Sequence, residues 1–205
     1  MRFGEPPAYQ CGPNTHTLEE LPRVRLVESF TDRLQTPLYQ LVTACTEQGQ
    51  RPALAQIAGS IIPGVKDVLI LTEEDSPLVH LEFADYSLPA ALSGDGVHFL
   101  LRICLEALAT PNGILLFEEP EGHQHPAAIR QTVRAILSVV RRGIQVILTT
   151  HSLELIDAFL AESSSEDLER LSLFRLDLHE GKLISVRVPG SDVAFARGDV
   201  EEDLR

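Results

Sequence analysis

Hydrophobic positions along the chain switch between a helical and a strand-like period, and the switches mark most of the elements. Residues 32–48 carry Leu34, Leu38, Leu41, Val42 and Cys45 on one helical stripe. Residues 52–61 give a shorter helix, closed by Pro63-Gly64. Val68–Thr72 and Leu78–Phe83 flank the polar turn Glu73–Ser76, the pattern of a β-hairpin. Gly94–Leu108 reads as a helix with Phe99, Leu100, Ile103, Cys104, Ala107 and Leu108 on its apolar side. Ile114–Phe117 follows a Pro-Asn-Gly turn and is apolar without interruption, as in a strand buried on both faces. Pro126 opens a helix that runs to about Arg142, and Gly143 ends it. Gln145–Thr149 is a second strand, and Ser152 can cap a helix over Leu153–Ala161. Ser163–Asp167 reads as a polar loop or cap. Leu171–Leu178 and Leu183–Val188 predict a second hairpin around His179–Lys182. Strand–helix–strand–helix over 113–161 demands a right-handed parallel βαβ unit. By the same reading, 1–31 is an irregular N-terminal arm, 32–189 the folded domain and 190–205 a polar acidic tail.

Chemistry collects where the two central strands end. The first runs into Glu118, Glu119 and Pro120, and the second into His151-Ser152. Parallel α/β sheets place ligand sites at this carboxyl edge. Two acids on one strand and a histidine on its neighbour suit nucleotide hydrolysis. One acid holds Mg²⁺, another orients water, and the imidazole reaches the γ-phosphate. Leu92-Ser93-Gly94-Asp95-Gly96 lies just before a helix. There, free backbone N–H groups and the positive helix end favour an anion.

The order of Leu92–Gly96, Ile114–Glu121, Gly122–Pro126 and Thr149–Ser152 resembles the C-terminal half of an ABC-class ATPase. The matching parts are signature motif, Walker B, D-loop and H-loop, and the similar stretch spans roughly residues 37–160. Pro-Glu after the acids and the His-Pro pair at 125–126 resemble the SMC-, RecF- and OLD-like soluble branch. The resemblance implies an α/β fold, the C-terminal lobe of a P-loop NTPase, with a parallel βαβ core and flanking helices and hairpins. It implies Glu119 and His151 as catalytic groups and Glu118 as the Mg²⁺-side acid. Ser93, Gly94 and Gly96 would contact, in trans, the γ-phosphate of ATP held by an opposite subunit. ATP and Mg²⁺ are the implied cofactors and a homo- or heterodimer the implied assembly. Two positions depart from the family form. Glu118 stands where Asp is usual and carries its carboxylate one methylene further out, and Asp95 brings an acid close to the phosphate position.

Composition narrows the partners. The net charge is −13, from 17 basic and 30 acidic residues, which argues against the chain wrapping nucleic acid by itself. DNA would enter only through partners. Arg130, Arg134, Arg141 and Arg142 cluster locally and read as the solvated face of one helix. Trp is absent, so stacking platforms for bases are not expected. Cys11, Cys45 and Cys104 form no Cys-x-x-Cys pair, and the last two fall on apolar helical stripes. No apolar run approaches the ~20 residues that span a bilayer, and no apolar signal region opens the chain. A cytoplasmic protein without membrane contact is the expectation.

One element of the resemblance is missing. No Gly-x-x-x-x-Gly-Lys-Ser/Thr occurs, and the Gly-Lys pair at 181–182 lies inside the second hairpin. The expected partner is therefore a chain or segment that carries the Walker A lobe. A fragment, a split ATPase and a degenerate regulatory homologue all fit this reading. The alternative function is a non-catalytic scaffold that keeps the fold without ATP binding. A transporter ATPase subunit fits less well, given the Glu-Pro-Glu and His-Pro elements. His123, His125 and His151 with the nearby acids also admit a transition-metal site, although the D-loop reading already accounts for 123–125 as a subunit contact.

Overall fold

The structure is a computed structural model and describes residues 22–28, 36–122, 124–198 and 203 of the 205. In chain order, β1 (Val24–Glu28) is followed by helices α1 (Leu38–Glu47) and α2 (Arg51–Ile61). Strands β2 (Asp67–Glu73), β3 (Ser76–Glu82) and β4 (Ser87–Pro89) come next, then a 3-10 turn over Ala90–Leu92 and helix α3 (Asp95–Ala109). The unit β5 (Ile114–Glu118), α4 (Pro126–Arg141), β6 (Gln145–Thr149), α5 (Leu153–Glu162) follows. Helix α6 (Ser165–Arg170), the hairpin β7 (Ser172–His179) and β8 (Lys182–Pro189), and helix α7 (Gly190–Gly198) complete the described elements.

Sheet order is β1-β5-β6, all parallel, beside an antiparallel β2-β3-β4 sheet and the β7-β8 hairpin. The predicted βαβ unit and both hairpins are present. Helix α3 sits at the centre of the core. Leu101, Ile103, Cys104 and Leu105 are fully buried, and Phe99 meets Phe117 of β5 edge-on with centroids 6.3 Å apart. Each such aliphatic side chain contributes about 1.5–3 kcal/mol of burial free energy. One face of the parallel sheet, with Val27, Leu115 and Phe117, lies against this core. The opposite face carries the register row Leu26–Leu116–Ile147, and Val24, Leu26 and Ile147 are each half exposed.

Burial also explains the charges and thiols inside. Arg102 and Glu106, one helical turn apart on α3, are buried and 3.7 Å apart, and Arg25 of β1 approaches Glu106 at 3.8 Å. Arg102 also donates to the Thr36 carbonyl at 3.0 Å. Desolvation raises the Glu106 carboxyl above its ordinary value, against the pull of Arg25 and Arg102. Cys45 and Cys104 are buried free thiols, as their stripes predicted; burial pushes Cys104 up to about 12. Within the arginine cluster of α4, Arg134 makes a two-point pair with Glu162 and Arg141 one with Asp167.

Two expectations are corrected and one is made definite. The arm 1–31 is not wholly irregular, because Val24–Glu28 is a strand. Its partner β5 lies some ninety residues away, and five residues carry too little periodicity to show a long-range pairing. The tail from Gly190 begins with helix α7, anchored by buried Val193 against Ile156, Leu171 and Val188. Ser163–Asp167, read as a polar loop or cap, is a cap. Ser164 forms a reciprocal capping box with Asp167 and starts α6. Residues 1–21, including Cys11, and Leu34 of the first helical stripe lie outside the described residues.

Candidate functional site at the carboxyl edge of the parallel sheet

Strands β5 and β6 run in parallel register, with Glu118 opposite Thr149, so the acids and the histidine leave the sheet side by side. Continuous apolar sequence drives both strands into the core, and the chain turns polar where they surface. Glu118 ends β5 with an exposed carboxylate that has no hydrogen bond or ion pair among the described residues. At Glu119 the backbone enters the left-handed region, φ +43°. Most L-residues avoid that region, and its use costs about 1–2 kcal/mol. The turn is held from both sides. The Glu119 N–H donates to the Thr149 carbonyl at 3.0 Å, and the Gly122 N–H donates to the Glu119 carbonyl at 2.9 Å.

This turn aims the Glu119 carboxylate across to the neighbouring loop. Its Oε1 lies 3.0 Å from His151 Nδ1, and both side chains are largely open to solvent. Such a pair offers a carboxylate base and an imidazole to one ligand position. Beneath it, the Thr150 hydroxyl donates to Oε1 of Glu121, and the Ser152 N–H donates to that same hydroxyl oxygen at 2.9 Å. Ser152 Oγ in turn accepts from the Leu155 N–H and caps α5, as predicted.

The segment after the acids is tied inward. Gln124 donates from Nε2 to the Pro120 carbonyl at 2.7 Å, while its Oε1 accepts from buried Thr132 at 2.8 Å. His125 is the N-cap of α4, its Nδ1 accepting from the Ala127 N–H at 3.2 Å. His123 lies outside the described residues. Among the described residues no group of three or more His, Cys, Asp or Glu is disposed to hold a metal ion, so the alternative transition-metal site gains no support.

Ser93, Gly94 and Gly96 lie at the opening of α3. Gly94 is the N-cap with φ +87° and ψ 154°, a conformation that glycine alone adopts freely. A Cβ added there would meet nothing within 4 Å, so the loop stands open. The Ser93 hydroxyl donates to the Ala90 carbonyl at 2.6 Å, which closes the preceding 3-10 turn. A Cβ on Gly96 would lie 3.9 Å from Ala128 Cβ, which places the start of α3 against the first turn of α4. Among the described residues no hydrogen bond or ion pair joins Ser93, Gly94 or Gly96 to Glu119 or His151. The structure therefore brings Glu119 and His151 together, sets Glu118 at the adjoining strand end, and joins the Ser93 loop to none of them by a hydrogen bond or ion pair among the described residues.

A family model described as AAA ATPase domain matches residues 38–156, more than half of the chain. The chain belongs to the AAA ATPase domain family. The match spans the Ser93 loop, both acids and His151. The Methanocaldococcus jannaschii protein MJECL11 is 41% identical to this chain over 114 residues, which is 55% of this chain and 98% of that protein. A chain solved in work on ATP-driven dimerization and DNA-stimulated activation of SMC ATPases superposes with a TM-score of 0.53 at 12% identity. That superposition covers 78% of this chain and 96% of the other. At such identity the likeness shows the fold, a lobe of the P-loop NTPase type with a parallel sheet at its centre. No helix among the described residues is long and apolar enough to cross a membrane.

The sequence did not single out Glu121, Thr150, Gln124 or Thr132 for the network beneath the site. An acid after a proline reads as exposed, yet Glu121 is nine-tenths buried. The available signal was the row of hydroxyl residues around His151, Thr-Thr-His-Ser.

Proposed function

We propose that this chain is the ATP-binding and ATP-hydrolysing lobe of an ABC-class ATPase of the SMC-, RecF- and OLD-like branch. The observation that carries the reading is the Glu119–His151 pair at the carboxyl edge of adjacent parallel strands. In this reading Glu119 orients and deprotonates the attacking water, and His151 contacts the γ-phosphate. Glu118 fits a hard cation, being an exposed carboxylate at the strand end with no hydrogen-bond or ion-pair partner among the described residues. Mg²⁺ held there would offset the negative charge of the phosphates. The open loop at Ser93, Gly94 and Gly96 would reach nucleotide on an opposite subunit, in a homo- or heterodimer, with the Ser93 hydroxyl released from Ala90. DNA repair, chromosome maintenance or phage defence is the setting this branch suggests, with any DNA contact made through partners and within the cytoplasm.

The sequence contains no Gly-x-x-x-x-Gly-Lys-Ser/Thr. In this class most ATP affinity comes from that loop's N–H groups and lysine. The reading therefore assigns the phosphate cradle to a Walker A lobe on another chain or segment. The half-exposed sheet face around Leu26 and Ile147 supports a partner of that kind, because bare apolar sheet marks an interaction surface. Calorimetry of the 205-residue chain with MgATP tests it. The expected dissociation constant is roughly millimolar or weaker, about 4 kcal/mol of binding or less. Micromolar binding by the chain alone would overturn the divided phosphate site. ATPase activity that stays absent when a Walker A lobe is supplied would favour the non-catalytic scaffold.

A further inference from the structure

Glu121 is the one acid of the 118–121 stretch that is not at the surface. It is nine-tenths buried, three residues past the strand end. Oε1 accepts the Thr150 hydroxyl proton, while Oε2 is buried with no hydrogen-bond partner among the described residues. A buried carboxylate is costly, so its place here calls for a reason beyond packing.

The reason lies in what the Thr150 hydroxyl does next. A hydroxyl has one proton and two lone pairs. With the proton committed to Glu121, the lone pairs are fixed in direction, and one receives the Ser152 N–H at 2.9 Å. This relay pins both neighbours of His151, Thr150 through its side chain and Ser152 through its backbone. The Glu119 N–H to Thr149 carbonyl bond, at 3.0 Å, is a second tie between the same two loops. Only then does the exposed Glu119–His151 pair at 3.0 Å have a defined geometry. A hydrogen-bonded pair this open to solvent is too weak to align its own loops.

We propose that Glu121 is a positioning residue. Through Thr150 it locks the 150–152 turn to the acid loop and so sets where the His151 imidazole meets Glu119. The inference rests on the ATPase reading above for its functional meaning, but the tie itself can be read without nucleotide.

The test uses the whole chain and two NMR readouts, amide exchange at Ser152 and the imidazole resonances of His151, with thermal unfolding followed alongside. Glu121→Met removes the acceptor, and Thr150→Val removes the hydroxyl at similar size. Both should speed Ser152 exchange about tenfold. Glu121→Met should also move the His151 resonances in the direction that Glu119→Gln moves them. Glu121→Gln keeps an acceptor oxygen and Thr150→Ser keeps a hydroxyl, so each should stay near the parent protein. Ser152 exchange and His151 resonances unchanged in both Glu121→Met and Thr150→Val would overturn the proposal. Equal perturbation by Glu121→Gln and Glu121→Met would also overturn it. Where Glu121→Met fails to fold, the contrast between Thr150→Val and Thr150→Ser decides. Failure here removes the tie and leaves the ATPase reading standing, whereas ATPase activity that stays absent when a Walker A lobe is supplied removes that reading and leaves the tie standing.

Discussion

Glycine at position 119 should make the protein more stable than alanine, the reverse of the usual order. The backbone there has φ +43°. An L-residue in the left-handed region costs about 1–2 kcal/mol. Glycine avoids that cost but gives up about 0.5–1 kcal/mol to alanine through its freer unfolded chain. At the midpoints of these ranges Glu119→Gly leads Glu119→Ala by about 0.75 kcal/mol. Everything else cancels. Both variants lose the carboxylate that faces His151, and both keep the backbone bonds to Thr149 and from Gly122. Thermal unfolding of the two variants side by side gives the comparison, with an expected Tm gap of about 2 °C for a chain of this length. At an unstrained position alanine would lead by a similar margin, so the sign alone decides. If Glu119→Ala proves as stable as Glu119→Gly, or more so, the acid is not held in a strained turn. The idea that the fold bears a conformational cost to aim it then fails.

Three further outcomes follow from the same geometry. In the assembled ATPase, Glu119→Gln should lower turnover ~10²-fold or more while sparing ATP binding; unchanged hydrolysis would remove the catalytic role. Asp167 accepts from Arg141 at 3.1 and 2.6 Å and from Ser164, and these bonds, Arg141 first, hold its carboxyl below the ordinary range. A depressed folded value means that the stabilisation is full above the unfolded carboxyl value of about 4 and fades as pH falls below it. Asp167→Asn should therefore cost about 1–3 kcal/mol at pH 7 and much less near pH 2, read from urea unfolding at both. A Cβ on Gly113 would lie 2.5 Å from the Arg23 carbonyl, the acceptor of the Ile114 N–H. Gly113→Ala should cost about 1–3 kcal/mol and speed amide exchange along β5; a neutral substitution would show that β1 is not docked there.

What the sequence determined by itself was local. Helical stripes, turn residues and caps placed α3, β5, α4, β6, α5 and both hairpins, because each is set by neighbours within a few positions. The acids and His151 were legible for the same reason, since an apolar strand that turns abruptly polar marks where the chain leaves the core. Tertiary structure decided whatever depended on distant partners. Strand β1 exists through its pairing with β5, and α7 through the seat that Ile156, Leu171 and Val188 give Val193. The left-handed turn at Glu119 comes from bonds across to β6. Glu121 is buried, while Glu118 and Glu119, three and two residues before it, stay exposed, because Thr150 meets it from the next loop. Periodicity records which face of an element is apolar, but it holds no record of which other element will cover that face. That information arises only when segments a hundred residues apart close on one another.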